Sequence, residues 1–368
     1  MRAILLLAAA AMAAGARLRS IMPRASVPRL GPPRLKVGFL KQQLEARGVS
    51  TAGIVEKEEL VRLYEALNAG GGSAITALPI VEMQGGAYAE FASDSCAPLR
   101  LLVDSGAATT IVAANAALRA SLATTSGGAT AVLRCSRHPD VQLDCRIGTD
   151  AQFPPGVDGI LGIDSLRTFE AAELDFGLRE LRLHKSPWCD SGATPAAATF
   201  LPMVMKPVSA GMLPFVDATF VSGERRVRID GLIDTGSPVT MVTPELREAV
   251  AMVPCATTQP ILTTGVDGQP TRMEPCVCES VALGQAESAN AAGAPLQPRQ
   301  DQRSLEHPTP VSFVGLCPMM AMVGWAGQPA ALVGLDLLRT CAGSSTSGLP
   351  TAGKLVFDFA QMHLIVID

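Results

Sequence analysis

Aromatic residues are scarce in this chain: they make up 4% of it, with two tryptophans and two tyrosines among 368 residues. Leu, Val, Ile, Ala and Met must therefore fill any core. Charge is scarce as well, at 17% of residues with a net charge of −4, which gives no general attraction for nucleic acid or an anionic membrane. No segment reaches about eighteen consecutive apolar residues, so no membrane span is expected in the mature protein. The four histidines, His138, His184, His307 and His363, are scattered. There is no H-E-x-x-H and no second cysteine pair at zinc spacing, so no metal site is expected. P-loop, G-x-S-x-G and Rossmann fingerprints are absent too, and with them the chemistries they carry. What remains is a chain that is 48% apolar, able to bury a core and long enough for two domains.

Nine cysteines leave at least one thiol outside any intrachain disulfide set. Cys135 and Cys145 flank a hairpin, where a bridge and a pair of buried free thiols are both open. Cys276 and Cys278 alternate as same-face residues of a strand do.

The N-terminus reads as an address. Arg2 precedes an apolar run from Ile4 to Ala13, and Ala14-Gly15-Ala16 offers a small-residue cleavage site, the pattern of a secretory signal. Residues 17–36 then carry Arg17, Arg19, Arg24, Arg29, Arg34 and Lys36 with Ser and Pro and no acid. A signal followed by such a stretch resembles the two-part plastid address of algae whose plastid lies within the secretory system. Delivery to the plastid by that route is the expectation, with secretion or an endomembrane lumen as the alternative. The targeting segment is set at residues 1–33.

Residues 34–68 form a separate helical module. Leu35, Phe39, Leu40 and Leu44 recur at helical spacing, Arg47-Gly48-Val49 breaks the pattern, and Leu60, Val61, Leu63 and Leu67 resume it. The run L-x-x-R-G-V-S-T-x-G-x-x-E-K-x-E-L-V resembles SAP-type helix-extended-loop-helix modules, some of which bind DNA. Here five Glu, with Glu56, Glu58 and Glu59 clustered, nearly balance six Lys and Arg residues, which argues against a phosphate-binding face and for protein docking or packing. Residues 69–77, opening on Ala69-Gly70-Gly71-Gly72-Ser73, are expected to be a linker.

An internal repeat dominates the rest. LRLLVDSGAATTIV, from Leu99 to Val112, is matched by RIDGLIDTGSPVTMV, from Arg228 to Val242. Gly159-Ile160-Leu161-Gly162-Ile163-Asp164 is matched by Ala331-Leu332-Val333-Gly334-Leu335-Asp336. Glu173-Leu174-Asp175-Phe176 is matched by Val356-Phe357-Asp358-Phe359. Three elements thus recur in one order, twice. Asp190-Ser191-Gly192-Ala193-Thr194 repeats the local motif without an apolar strand before it and reads as a loop, so the framing strands carry the specificity.

At these residues the chain resembles the retropepsin and pepsin clan of aspartic peptidases. The resemblance implies a mainly β fold with two retropepsin-like β-barrel lobes, at 78–186 and 200–368, joined through an inter-lobe linker at 187–199. Residues 286–310, rich in Ala, Gln and Pro, read as an insertion in the second lobe. It further implies that Asp104 and Asp234 meet as a catalytic pair that activates water to hydrolyse peptide bonds. Two like charges so close hold one proton between them. Ser105 and Thr235 are then expected to lock the two loops across the interface. Gly106 and Gly236 permit the tight turn, Ala107 and Ser237 are the small residues beside the carboxylates, and Gly162 and Gly334 brace the loops. Asp164 and Asp336 are expected to cap the short helices that follow. No metal or organic cofactor is implied, the substrate is a peptide or protein, and a monomer suffices because both Asp residues lie in one chain.

The sequence also departs from the clan. The only tyrosines, Tyr64 and Tyr88, precede Asp104, so a pepsin-type flap tyrosine in the first lobe is missing. Candidate flaps lie near Gly127–Cys145 and Thr263–Cys276. The rival reading is a catalytically silent scaffold of the same fold that binds peptides or partners.

Overall fold

The computed structural model describes residues 37, 41, 56–57, 60, 74–92, 97–124, 129–136, 138–150, 153, 156–188, 198–209, 211–264, 270–284, 305–308, 311–315, 323–340 and 353–367. Chain contacts divide it into Met1–Ala69 and Gly70–Asp368. In the first unit Val37, Lys41, Lys57 and Leu60 are helical, and the Leu60 N–H donates to the Glu56 carbonyl at 3.3 Å. Helical residues thus stand on both sides of the expected break. The targeting segment and the break itself lie outside the described residues, as does the third D-S-G-A copy at 190–194.

The second unit is mainly β. Its first half contains β1 (Ala74–Met83), β2 (Gly86–Phe91), β3 (Leu99–Val103), β4 (Ile111–Ala113) and β5 (Ala123–Thr124). It continues with β6 (Thr130–Cys135), β7 (His138–Gly148), β8 (Gly159–Leu161), β9 (Ala171–Asp175) and β10 (Glu180–His184). The second half opens with β11 (Ala198–Val208), β12 (Gly211–Ser222), β13 (Arg225–Ile233), β14 (Met241–Val242), β15 (Val253–Pro254) and β16 (Ile261–Thr264). Then come β17 (Pro270–Val277), β18 (Ser280–Leu283), β19 (Leu305–Pro308), β20 (Val311–Val314) and β21 (Ala331–Val333). Strands β22 (Lys354–Asp358) and β23 (His363–Ile367) close it. Short helices α1 (Ala114–Arg119), α2 (Ile163–Leu166), α3 (Pro244–Val250) and α4 (Leu335–Thr340) punctuate the strands.

Period-two alternation explains why these segments are strands. In β6 and β7, Ala131, Leu133, Cys135, Val141, Leu143 and Cys145 are buried while Arg134, Gln142, Asp144 and Arg146 face outward. The register sets Leu133 opposite Leu143, so the apolar faces coincide. Burying each such leucine contributes about 1.5–3 kcal/mol. The same register answers the cysteine question. Cys145 lies opposite Ala131, and Cys135 lies opposite His138, so no bridge joins them and both are buried free thiols. Burial pushes the Cys145 thiol up to about 11. Cys276 and Cys278 are both buried, as same-face residues of one strand edge.

Two boundaries differ from the sequence expectation. Strand β1 begins at Ala74, inside the expected linker, because residues 74–79 pair with β10. Strand β19 lies inside the expected insertion and pairs with β18, Val281 opposite His307; its four residues carry the alternating Leu305 and His307 that a short edge strand tolerates. The rest of that stretch, 286–304 and 309–310, lies outside the described residues.

The halves share one six-stranded antiparallel sheet in the order β1–β10–β9–β22–β23–β11. A buried charge cluster lies on it. Glu173 accepts from Lys354 at 2.9 Å and lies 3.3 Å from His184 Nε2 and 3.6 Å from Arg182. The Trp188 indole also donates to it at 3.3 Å, and Lys354 reaches Asp175 at 2.9 Å. Lys354 comes from the second half and its partners from the first, so the cluster ties the halves electrostatically.

Candidate active site

Each half builds the same frame around one aspartate. Strand β3 runs parallel to β8, with Val103 opposite Leu161, and β13 runs parallel to β21, with Ile233 opposite Val333. The chain leaves β3 and β13 through tight turns at Asp104 and Asp234. The Asp104 N–H donates to the Leu161 carbonyl and the Asp234 N–H to the Val333 carbonyl, each at 3.0 Å. It returns along β4 and β14, which run antiparallel to β8 and β21.

The two turns meet. A Cβ placed on Gly106 would lie 2.6 Å from Asp234 Cγ, and one on Gly236 would lie 2.4 Å from Asp104 Cγ. Each carboxyl therefore rests against the other loop's glycine, and only a residue without a side chain fits there. The Ala107 N–H donates to Asp104 Oδ1 at 3.0 Å. Asp234 Oδ1 accepts from the N–H groups of Gly236 at 2.8 Å and Ser237 at 3.2 Å.

Ser105 and Thr235, both fully buried, lock the loops reciprocally. The Ser105 N–H donates to Thr235 Oγ1 at 3.0 Å, and that hydroxyl donates to the Val103 carbonyl at 2.8 Å. The Thr235 N–H donates to Ser105 Oγ at 3.0 Å, and that hydroxyl donates to the Ile233 carbonyl at 2.8 Å. Each hydroxyl thus satisfies one donor and one acceptor of the opposite loop, where buried backbone groups have no water to turn to.

Burial raises the pKa of Asp104 above its ordinary value, against hydrogen bonds that lower it. Asp234 is pushed higher still, first by burial and then by the charge of Asp104. Asp234 is 5% exposed, whereas Asp104 keeps more of its surface open. Such a pair titrates as a unit and retains a proton after isolated carboxyls have lost theirs.

The bracing glycines are where the repeat placed them. A Cβ on Gly162 would lie 2.6 Å from the Thr109 carbonyl carbon, and one on Gly334 would lie 2.4 Å from that of Val239. The Ile163 N–H donates to the Ala107 carbonyl at 2.8 Å and the Leu335 N–H to the Ser237 carbonyl at 2.9 Å. Asp164 and Asp336 differ from expectation. The N-cap of α2 is Gly162, and no side chain caps it. Asp164 and Asp336 are the second residues of α2 and α4, where each carboxylate accepts the N–H of the next residue, Ser165 or Leu337, at 2.7 Å and also meets a threonine of the loop. Asp164 Oδ1 accepts from the Thr110 N–H and hydroxyl at 2.8 Å each. Asp336 Oδ1 accepts from the Thr240 hydroxyl at 2.7 Å.

These threonines are parts of the loop framework that sequence reasoning missed. Their hydroxyls also accept from the N–H groups of Gly162 and Gly334, at 3.0 and 3.1 Å. Each follows its aspartate by the same offset in the two copies, a signal present in the repeat. Ser237 carries a second surprise: its hydroxyl donates to the Val239 carbonyl at 2.7 Å, so it steadies its own loop. Of the candidate flaps, β16 and β17 form a hairpin with Leu262 opposite Arg272, and β5 pairs with β6. Their connecting residues, 265–269 and 125–128, lie outside the described residues. Among the described residues no group of three or more His, Cys, Asp or Glu is placed to hold a metal.

No family model matches the chain and no curated protein sequence does. Among solved structures, basic 7S globulin from soybean is similar at a TM-score of 0.42 and 10% identity, over 79% of this chain and 94% of that one. The structure of edgp is similar at a TM-score of 0.42 and 9% identity, over 79% and 94%.

Proposed function

We propose that the chain is an aspartic endopeptidase that hydrolyses peptide bonds with water activated by the Asp104–Asp234 pair. The observation that carries this reading is the meeting of two buried carboxyls, each packed on the other loop's glycine, with pKa values raised together. A pair that shares one proton contains a base and an acid side by side. The ionised member takes a proton from water as it attacks the scissile carbonyl, and the protonated member donates to the carbonyl oxygen. Ser105 and Thr235 hold the carboxyls in register, Gly106 and Gly236 admit them, Ala107 and Ser237 keep space beside them, and Gly162 and Gly334 brace both loops. The chemistry written this way uses no metal or organic cofactor, and one chain supplies both carboxylates. The substrate is an extended peptide or unfolded protein segment.

The test is cleavage of a mixed peptide library between about pH 3 and 8, with Asp104→Asn and Asp234→Asn run in parallel. Cleavage abolished by either substitution supports the shared pair. A folded chain with no cleavage at any pH overturns the peptidase and leaves a peptide-binding scaffold.

A further inference from the structure

The two catalytic loops are buttressed from the opposite half, and among the described residues only one of them is also clamped by charge. The turn joining β1 to β2 places Gly85, at φ +81°, so that a Cβ would lie 2.7 Å from Pro238 Cβ. The turn joining β11 to β12 places Gly211, at φ +148°, so that a Cβ would lie 3.0 Å from Ala108 Cβ. Ala108 and Pro238 occupy the same place in the repeat, immediately after the small residue beside each carboxylate. Each half therefore presses a hairpin turn on the other half's aspartate loop.

On the second loop the contact closes into a ring. The Asp336 N–H donates to the Pro238 carbonyl at 3.2 Å, and Leu335 N–H to the Ser237 carbonyl, which hangs the loop on α4. From α4, Arg339 Nη1 donates to Glu82 Oε2 at 2.8 Å, and its guanidinium lies 4.3 Å from the centroid of the Phe176 ring. Glu82 stands on β1, just before the turn that bears Gly85. Hairpin, loop, helix and ion pair thus form one cycle across the halves. The first loop has no counterpart. Arg167 matches Arg339 in the repeat, but the place of Glu82 is taken by Val208, which carries no charge, and Arg167 is exposed.

We infer that Glu82 and Arg339 are positioning residues for Asp234, acting through α4 and the Pro238 contact to hold the second loop tighter and drier than the first. Asp234 itself faces Asp104 and the N–H groups of Gly236 and Ser237, while Arg339 faces Glu82 and Phe176. Loosening the clamp lets water reach Asp234 and relieves the burial that keeps it protonated. The inference rests on the peptidase reading for its kinetic readout alone.

The experiment uses the full chain with Arg339→Met and Glu82→Gln, and Arg119→Met as control, which breaks the Arg119–Asp158 pair of the first half. Asp234 is followed by carboxyl-carbon NMR in aspartate-labelled protein, its signal assigned by loss in Asp234→Asn. Both clamp variants are expected to lower the upper apparent pKa of the pair and move the basic limb of the rate profile to lower pH. The same variants should reduce kcat by roughly two- to fivefold at unchanged KM, the scale of a part-exposed ion pair. The control should leave the titration where it was. Should Arg339→Met fail to fold, Glu82→Gln and Arg339→Lys carry the test. An Asp234 titration unchanged in Glu82→Gln overturns the inference. A shifted titration in a chain that cleaves nothing upholds it and overturns the peptidase instead.

Discussion

Replacing Ser105 by alanine tests the central joint of the molecule most directly. The Ser105 hydroxyl accepts from the Thr235 N–H and donates to the Ile233 carbonyl, and Ser105 has no exposed surface. The substitution leaves one donor and one acceptor bare in a place water does not reach. Each orphaned buried group costs about 1–3 kcal/mol, so Ser105→Ala is expected to destabilise by about 2–6 kcal/mol. That is a large part of the ~5–15 kcal/mol that holds an ordinary domain together. In a unit of this size it corresponds to a midpoint lowered by roughly 3–10 °C. Thr235→Val removes the mirror-image bonds, to the Ser105 N–H and Val103 carbonyl, and should cost as much. Thr235→Ser keeps the hydroxyl and should stay within about 1 kcal/mol of the parent. Urea unfolding followed by far-ultraviolet circular dichroism reads all three. Losses below about 0.5 kcal/mol for both Ser105→Ala and Thr235→Val would refute the reasoning, since surface substitutions alone produce that much.

Asp234→Asn should make the folded chain more stable at neutral pH. The raised carboxyl retains a proton that the unfolded chain has released above its ordinary value of 3.8, so stability falls as pH rises past that point, and the amide removes the penalty. Calorimetry at pH 7 checks this, and an unchanged or lower midpoint speaks against it. Glu173 works with the opposite sign. Burial alone would raise its pKa, but the hydrogen bond from His184 and the charges of Lys354 and Arg182 hold it far below its ordinary 4.5. Its contribution is complete above about pH 4.5 and fades as the pH falls further. Lys354→Met takes the lysine from Glu173 and Asp175, leaving Glu173 only Arg182 and His184, and should cost about 3–5 kcal/mol at pH 7, with the deficit shrinking in acid; a deficit independent of pH would contradict the assignment. Hydrogen bonding with Thr257 and Thr258 lowers the Cys255 thiol to about 7, while burial pushes Cys276 up to about 12. Iodoacetamide at pH 8 should therefore label Cys255 before Cys276 in the native chain, as peptide mapping would show; equal labelling of the two would count against that order.

The repeat made the heart of the site legible before any coordinate. Asp104, Ser105, Gly106 and their second-copy partners fall together because the same strand–turn–strand segment was written twice, and a shared offset is visible in sequence. What stayed hidden depends on contacts between segments far apart in the chain. Thr110 and Thr240 hold the bracing loops through Asp164 and Asp336, yet a threonine in a β-branched run reads simply as a strand former. Gly85 and Gly211 look like ordinary turn glycines; their part in buttressing the other half arises from docking, which local pattern does not encode. The Cys135 and Cys145 alternatives could be separated only by register, since both readings suit a hairpin. Asp164 and Asp336 look like caps because an acidic residue near a helix start often is one; each carboxylate does accept an N–H of its own helix, but its bond to Thr110 or Thr240 across the loop depends on contacts far apart in the chain.

The distribution of symmetry in the molecule is itself informative. At the joint between the loops the two copies agree nearly atom for atom. Ser105 and Thr235 exchange equivalent bonds, Gly106 and Gly236 face opposite carboxyls, and Thr110 and Thr240 satisfy Gly162 and Gly334 alike. A reciprocal lock demands this, because each loop is the other's hydrogen-bonding partner and a change on one side leaves a buried group bare on the other. Away from the joint that constraint lapses. The clamp between Glu82 and Arg339 serves one loop, Glu173 of the buried charge cluster is matched in the second copy by Val356, and Ala107 stands where the second copy has Ser237. A site that needs one carboxyl protonated and its neighbour ionised gains from unequal surroundings, since an identical environment gives neither carboxyl a preference for the proton. Fusing two lobes in one chain permits that inequality while the reciprocal joint is retained.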